Sequence, residues 1–193
     1  EDHSIHIQVN PSSIKASASN KGSIVAENGM VKIRADMAQD AIDATIRAPE
    51  TAASGIVSVN GVIKLVSNSG SIKAKQITLA AGERGAVEVS GTIEAVSTTG
   101  EGGSVELQGK EIIVTTGANI NASGTVAGGR LIIGGSWIDH DFNVIQTTFA
   151  TIQQNSTLDV SSLEGNAGSI FIGSNQSVPG SLTSVQGVLY ART

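Results

Sequence analysis

Gly102-Gly103-Ser104-Val105-Glu106-Leu107-Gln108-Gly109 is followed by Gly128-Gly129-Arg130-Leu131-Ile132-Ile133-Gly134, and then by Ala167-Gly168-Ser169-Ile170-Phe171-Ile172-Gly173. All three are one unit: a small or glycine corner, a polar residue, a short apolar run and a closing glycine. Gly85-Ala86-Val87-Glu88-Val89-Ser90-Gly91 is an earlier version. A second unit alternates with the first, as Gly117-Ala118-Asn119-Ile120-Asn121-Ala122-Ser123-Gly124 and Asn155-Ser156-Thr157-Leu158-Asp159-Val160-Ser161-Ser162. Recurrence of this kind marks stacked architectures. Steps from Gly85 to Gly103, Gly103 to Gly129 and Gly129 to Gly168, roughly 18, 26 and 39 residues, read as a coil of about 20 residues with progressively longer loops.

Outward from these units, alternation with period two continues in Ile5-His6-Ile7-Gln8-Val9, Met30-Val31-Lys32-Ile33-Arg34 and Val62-Ile63-Lys64-Leu65-Val66, one face apolar and the other polar. Asn28-Gly29, Asn60-Gly61, Ser69-Gly70, Ser90-Gly91 and Ser123-Gly124 punctuate the runs as turn chemistry. Short strands and turns leave a sandwich, a closed barrel or a solenoid. Only stacking gives a reason for one glycine corner to repeat, with Gly or Asn at bends that need positive φ. The expected fold is therefore all-β, a parallel β-helix, with residues 1–193 as a single module.

Composition agrees with that fold. The 193 residues include 23 Gly, no Cys, three Phe, one Trp and one Tyr, so small aliphatic side chains must fill the core. Absence of Cys removes disulfides, thiolate nucleophiles and Cys-based metal sites. No run approaches the roughly 18 apolar residues of a membrane span, and the N-terminus lacks a signal-peptide pattern; a soluble chain without membrane insertion is expected. Net charge of −5 argues against nucleic acid or anionic lipid as a general partner. About a fifth of the residues are Ser or Thr, so hydroxyls and glycines dominate the surface.

Two stretches break the rhythm. Across 36–47, Met37, Ala38, Ala41, Ile42, Thr45 and Ile46 form a 3.6-residue stripe, with Asp36 placed to cap it and Pro49 to end it. This predicts one short amphipathic helix lying on the flank of a coil. The other, 135–147, contains Trp137 and Phe142 and reads as a long loop leaving the coil after Gly135.

That loop holds the densest cluster of possible ligands. Asp139, Asp141 and Asn143 alternate and are weak candidates for Ca²⁺; Val144 and Ala150 stand where an EF-hand loop needs Gly and Glu. No cofactor is expected. Nucleophilic catalysis has only His3, His6 and His140 as bases and no nucleophile elbow. Glu88, Glu94, Glu106 and Glu111 fall on successive repeats and could line one face, with Arg84, Lys110 and Arg130 as cationic partners. Solvated faces explain all seven, and sugar-stacking aromatics are scarce. Thr98-Thr99, Thr115-Thr116 and Thr147-Thr148 are adjacent pairs pointing to opposite faces, unlike the ladder of an ice-binding surface. If the chain binds anything, Trp137, His140 and Phe142 on the irregular loop are the ligand-binding candidates.

The succession from Asn28-Gly29-Met30 through Asn60-Gly61-Val62-Ile63-Lys64-Leu65, Gly91-Thr92-Ile93-Glu94-Ala95, the Gly102 and Gly128 corners and Ser156-Thr157-Leu158-Asp159-Val160-Ser161 resembles the filamentous haemagglutinin-type exoproteins of two-partner secretion systems. The resemblance covers roughly residues 28 to 174. It implies a right-handed β-helix exported unfolded through an outer-membrane two-partner transporter and displayed, as a monomer, on the bacterial cell surface or secreted. It also implies an adhesive role toward a host-cell receptor, a polysaccharide or biofilm matrix, without catalysis. Two departures stand out: the family's secretion-domain motifs are absent, and Gly134-Gly135-Ser136 replaces its Gly-Gly-Asp corner. The chain is therefore expected to be an internal or C-terminal piece of a larger shaft. The rival expectations are a carbohydrate-active β-helix enzyme, lyase or glycosidase, and the passive shaft of a cytolysin or contact-dependent toxin.

Overall fold

Alternating side chains decide the local structure: one face of each short run can be buried only if another layer covers it. In the computed structural model, residues 68–81, 85–134 and 147–193 are described with their side chains. Before residue 68, backbone strands are described at 5–9, 23–25, 30–35, 39–42, 45–47, 56–61 and 65–67.

The described residues form twenty strands and no helix. The first sheet holds β1 (Ile5–Val9), β3 (Met30–Ala35), β6 (Ile56–Gly61), β9 (Gln76–Ala80), β12 (Ser104–Gln108), β15 (Arg130–Ile133) and β18 (Ser169–Ile172). The second contains β2 (Ser23–Val25), β5 (Thr45–Arg47), β8 (Ser71–Lys73), β11 (Thr92–Glu94), β14 (Asn119–Asn121), β17 (Thr157–Asp159) and β20 (Val188–Tyr190). The third has β4 (Gln39–Ile42), β7 (Leu65–Asn68), β10 (Ala86–Val89), β13 (Glu111–Val114), β16 (Phe149–Ile152) and β19 (Leu182–Val185). From β3 onward the chain visits the first, third and second sheets in strict rotation, and each strand up to β17 pairs in parallel with the strand three places later. The expectation of stacked parallel strands is met at this level.

Stacking turns the alternation into continuous columns. Ile72, Ile93, Ile120 and Leu158 lie in register in the second sheet, all fully buried. Leu79, Leu107 and Ile133 do the same in the first, and Val89, Val114 and Ile152 in the third. Each inward methyl group therefore meets similar ones above and below, at the roughly 4.8 Å strand spacing. Aliphatic residues of like size close that interior without large rings.

Register revises the repeat length. Gln76 pairs with Ser104, an offset of 28; Ser104 with Arg130, 26; Arg130 with Ser169, 39. The two longer steps read from the sequence are true circuits. The 18-residue step is not, because Gly85 precedes the third sheet and accepts from the Lys110 amide at 2.8 Å, whereas Gly103 precedes the first.

Residues 36–47 are corrected as well. Their described parts, β4 and β5, are strands paired with β7 and β8. A helix of about ten residues is marginal in water by itself, and here parallel pairing supplies partners for the same backbone groups, with Thr45 and Ile46 favouring the extended form. Asn60-Gly61, read as a turn, instead ends β6, opposite Arg34 and Ala35. Of the loop at 135–147, residues 135–146 lie outside the described residues; Thr147 is fully buried and its hydroxyl donates to the Gly109 carbonyl at 2.8 Å.

Candidate functional site

Trp137, Asp139, His140, Asp141, Phe142 and Asn143 all lie outside the described residues, as do the side chains of His3 and His6 and all of Arg84. Among the described residues no group of three or more His, Cys, Asp or Glu side chains is placed to hold a metal ion.

The carboxylates do not line one face. Glu106 stands on the first sheet, Glu94 on the second, and Glu88 and Glu111 on the third. Their even spacing in the sequence comes from the likeness of the Gly85 and Gly103 units, which belong to different sheets. Each has local partners or solvent instead: Gln108 donates to Glu106 at 2.7 Å, Lys73 lies 3.9 Å from Glu94, and Glu111 is exposed.

What the fold does assemble is a groove of about 430 Å³ where the chain passes from the second sheet back to the first. Its floor is the stacked corners Gly102-Gly103, Gly128-Gly129 and Ala167-Gly168. Their glycines answer a steric demand: a Cβ on Gly103, Gly129 or Gly168 would sit 2.0, 2.0 and 1.8 Å from a backbone oxygen of a neighbouring circuit. None of the three is among the positive-φ residues, which among the described residues are Gly117, Gly134, Gly180 and Asn155. The expectation of positive φ at the bends thus holds at other corners, while close backbone approach governs this one.

One wall of the groove is the first outward column of the first sheet, Gln76, Ser104, Arg130 and Ser169, which are register neighbours. The other is formed by Lys75 and Glu101. The Lys75 ammonium donates to the Glu101 carbonyl and, at 3.2 Å, to that of Gly102, tying one circuit to the next. Arg130 is different. Its guanidinium lies over the Phe171 ring, 5.5 Å from the centroid, and its Nε is buried with no hydrogen-bond partner. Phe171 is two residues beyond Ser169, the register partner of Arg130, so the contact is the diagonal one that long side chains make across neighbouring strands.

The loops flanking the groove are held by a device that the repeat reading passed over. The Ser97 hydroxyl accepts from the Gly100 amide at 3.0 Å, and the Ser162 hydroxyl from the Gly165 amide at 3.1 Å. Just before Gly124 and Ser162, the side-chain oxygens of Asn121 and Asp159 accept from the Ser123 and Ser161 amides, each at 2.8 Å. A recurring Asn/Asp-x-Ser and Ser-x-x-Gly was visible in the sequence. Its meaning needed the bridges that put Ser97, Gly124 and Ser162 in one stack.

Arg130 was legible only as a cationic partner for carboxylates, and Phe171 only as one of few rings; parallel register joins them. Compared with known proteins, the chain matches no family model, and no curated protein matches it.

Proposed function

We propose that the chain is a right-handed parallel β-helix forming a stiff adhesive segment of a secreted or surface-displayed bacterial protein of the filamentous haemagglutinin type. The observation carrying this reading is the rotation of the chain, from β3 onward, through three parallel sheets. Stacking of this kind pairs backbone groups between circuits and extends by adding circuits, which suits a stalk. The resemblance in the sequence supplies the adhesive part and the handedness. In this role the sheets are the support, and the outward columns and corner grooves are the contact surfaces.

Scattering in solution and adhesion together test the proposal. An elongated particle whose immobilised form captures host cells or biofilm matrix is the expected result. A compact, near-spherical particle would overturn the β-helix, and an elongated particle that captures nothing would reduce the segment to passive shaft. Release of unsaturated uronates from acidic polysaccharide would replace adhesion with catalysis.

A further inference from the structure

We propose that the glycine-floored groove binds a carboxylate-bearing saccharide, with Arg130 as the residue that selects its acid group. The proposal deepens the adhesive reading by naming a ligand class and a site. Four observations carry it. First, the stacked corners form an open groove of about 430 Å³, a surface site along which a chain-like ligand can lie rather than a pocket that encloses it. Second, its floor is five glycines and Ala167, so a ring can lie close to the backbone.

Third, the five glycine amides of the floor are already used: Gly102 donates to Ala127, Gly103 to Ala95, Gly128 to Asn166, Gly129 to Ala122 and Gly168 to Val160. A peptide seated there would find none of these glycine donors free for strand addition. Recognition falls to side chains, and the wall that supplies them is an amide, two hydroxyls and a guanidinium in one column, Gln76, Ser104, Ser169 and Arg130. That donor set suits a ligand rich in hydroxyl groups.

Fourth, Arg130 has a buried Nε without a partner, and no ion pair of its own is found among the described residues. The guanidinium carbon lies 5.5 Å from the Phe171 centroid and the Nε is buried, which leaves the two Nη groups as the donors a carboxylate in the groove would meet. Although the whole chain carries −5, the groove is lined by Lys75 and Arg130 against the single carboxylate of Glu101. Local charge therefore favours a singly acidic sugar unit, and Glu101 in the wall opposes a denser one.

Calorimetric titration of the whole chain with a short oligogalacturonate, its carboxyl-reduced counterpart and a poly-glutamate peptide tests the site. The expected result is binding of the oligogalacturonate only, weakened about tenfold or more by Arg130→Ala and less by Arg130→Lys, which keeps charge but not the fork. Glu101→Gln should tighten it about twofold, and added salt should weaken it. Lys110→Ala, on the corner between the first and third sheets, should change nothing, and matched thermal melts show that each variant is folded. Equal binding of the acidic and reduced sugars, no binding of either, or preference for the peptide would each overturn the assignment. Failure here with cell capture intact would leave the adhesive reading standing, whereas uronate binding without cell capture would remove adhesion and keep the site.

Discussion

At the residue scale, two positions show how stacking sets the value of a side chain. Asn68 is almost wholly buried and shares its column with Val89. Its Nδ2 donates to the Thr92 carbonyl at 3.3 Å, but its Oδ1 has no partner. A half-satisfied buried amide is worse than an aliphatic group of similar shape. Asn68→Val should raise the urea midpoint, by about 1 kcal/mol in unfolding free energy; a lowered midpoint would show that the amide has a structural use. Glycines separate just as clearly. Gly129→Ala places a methyl group 2.0 Å from the Gly103 carbonyl oxygen and should cost about 3 kcal/mol. Gly117, with φ of 83°, has open space around its missing Cβ, and Asn155 holds φ of 59° at the equivalent corner. Gly117→Asn should thus stay within about 0.5 kcal/mol of the parent, and Gly117→Ala should lose about 1 kcal/mol. Thermal or chemical unfolding of the three variants gives the ranking.

Corner loops matter most at the scale of the element, since the strands are only three to six residues long and cannot set their own register by length. Ser162 is nearly buried; its hydroxyl donates to the Thr125 carbonyl of the preceding circuit at 3.1 Å while accepting from Gly165. Ser162→Ala removes both bonds and leaves the groups buried, so a loss of about 2 kcal/mol is expected. An unchanged melting temperature would contradict that account. Alternation alone located β1, β10, β12 and β18, and it placed β3 apart from its last residue. It missed β13, because Ile112-Ile113-Val114 is an unbroken apolar run, in which Ile113 turns outward and stays partly exposed. It also gave 36–47 a helical period, since Ala41, Ile42, Thr45 and Ile46 fit both periods and only pairing with β7 and β8 separates them.

Over the whole molecule, stability is a sum over circuits and their interfaces. Inner circuits are covered on both sides; the circuit of β18, β19 and β20 is not, and Leu182, Val185, Val188 and Leu189 are exposed on it. Hydrogen exchange should therefore be slowest in β12 to β15 and fastest in β19 and β20, graded along the stack. Uniform protection would mean that the stack opens as one unit. Leu131→Ala, in the middle of the first-sheet core column, should cost about 3 kcal/mol and speed exchange in its own and adjacent circuits before distant ones.

The amino-acid order by itself determined that the chain is dominated by short stacked β-strands, that aliphatic groups of similar size fill the interior and that glycine marks the corners, because alternation and recurrence are local properties; that 36–47 holds strands rather than a helix was decided by pairing. Which corner stacks on which was decided by tertiary structure, since the Gly85 and Gly103 units are alike in sequence and differ only in the sheet they enter. The same register scattered four carboxylates over three sheets and placed Arg130 over Phe171 beside a floor of glycines. Neighbours across parallel strands here are 20 to 39 residues apart, a separation at which side chains meet only after the chain has passed through the other two sheets.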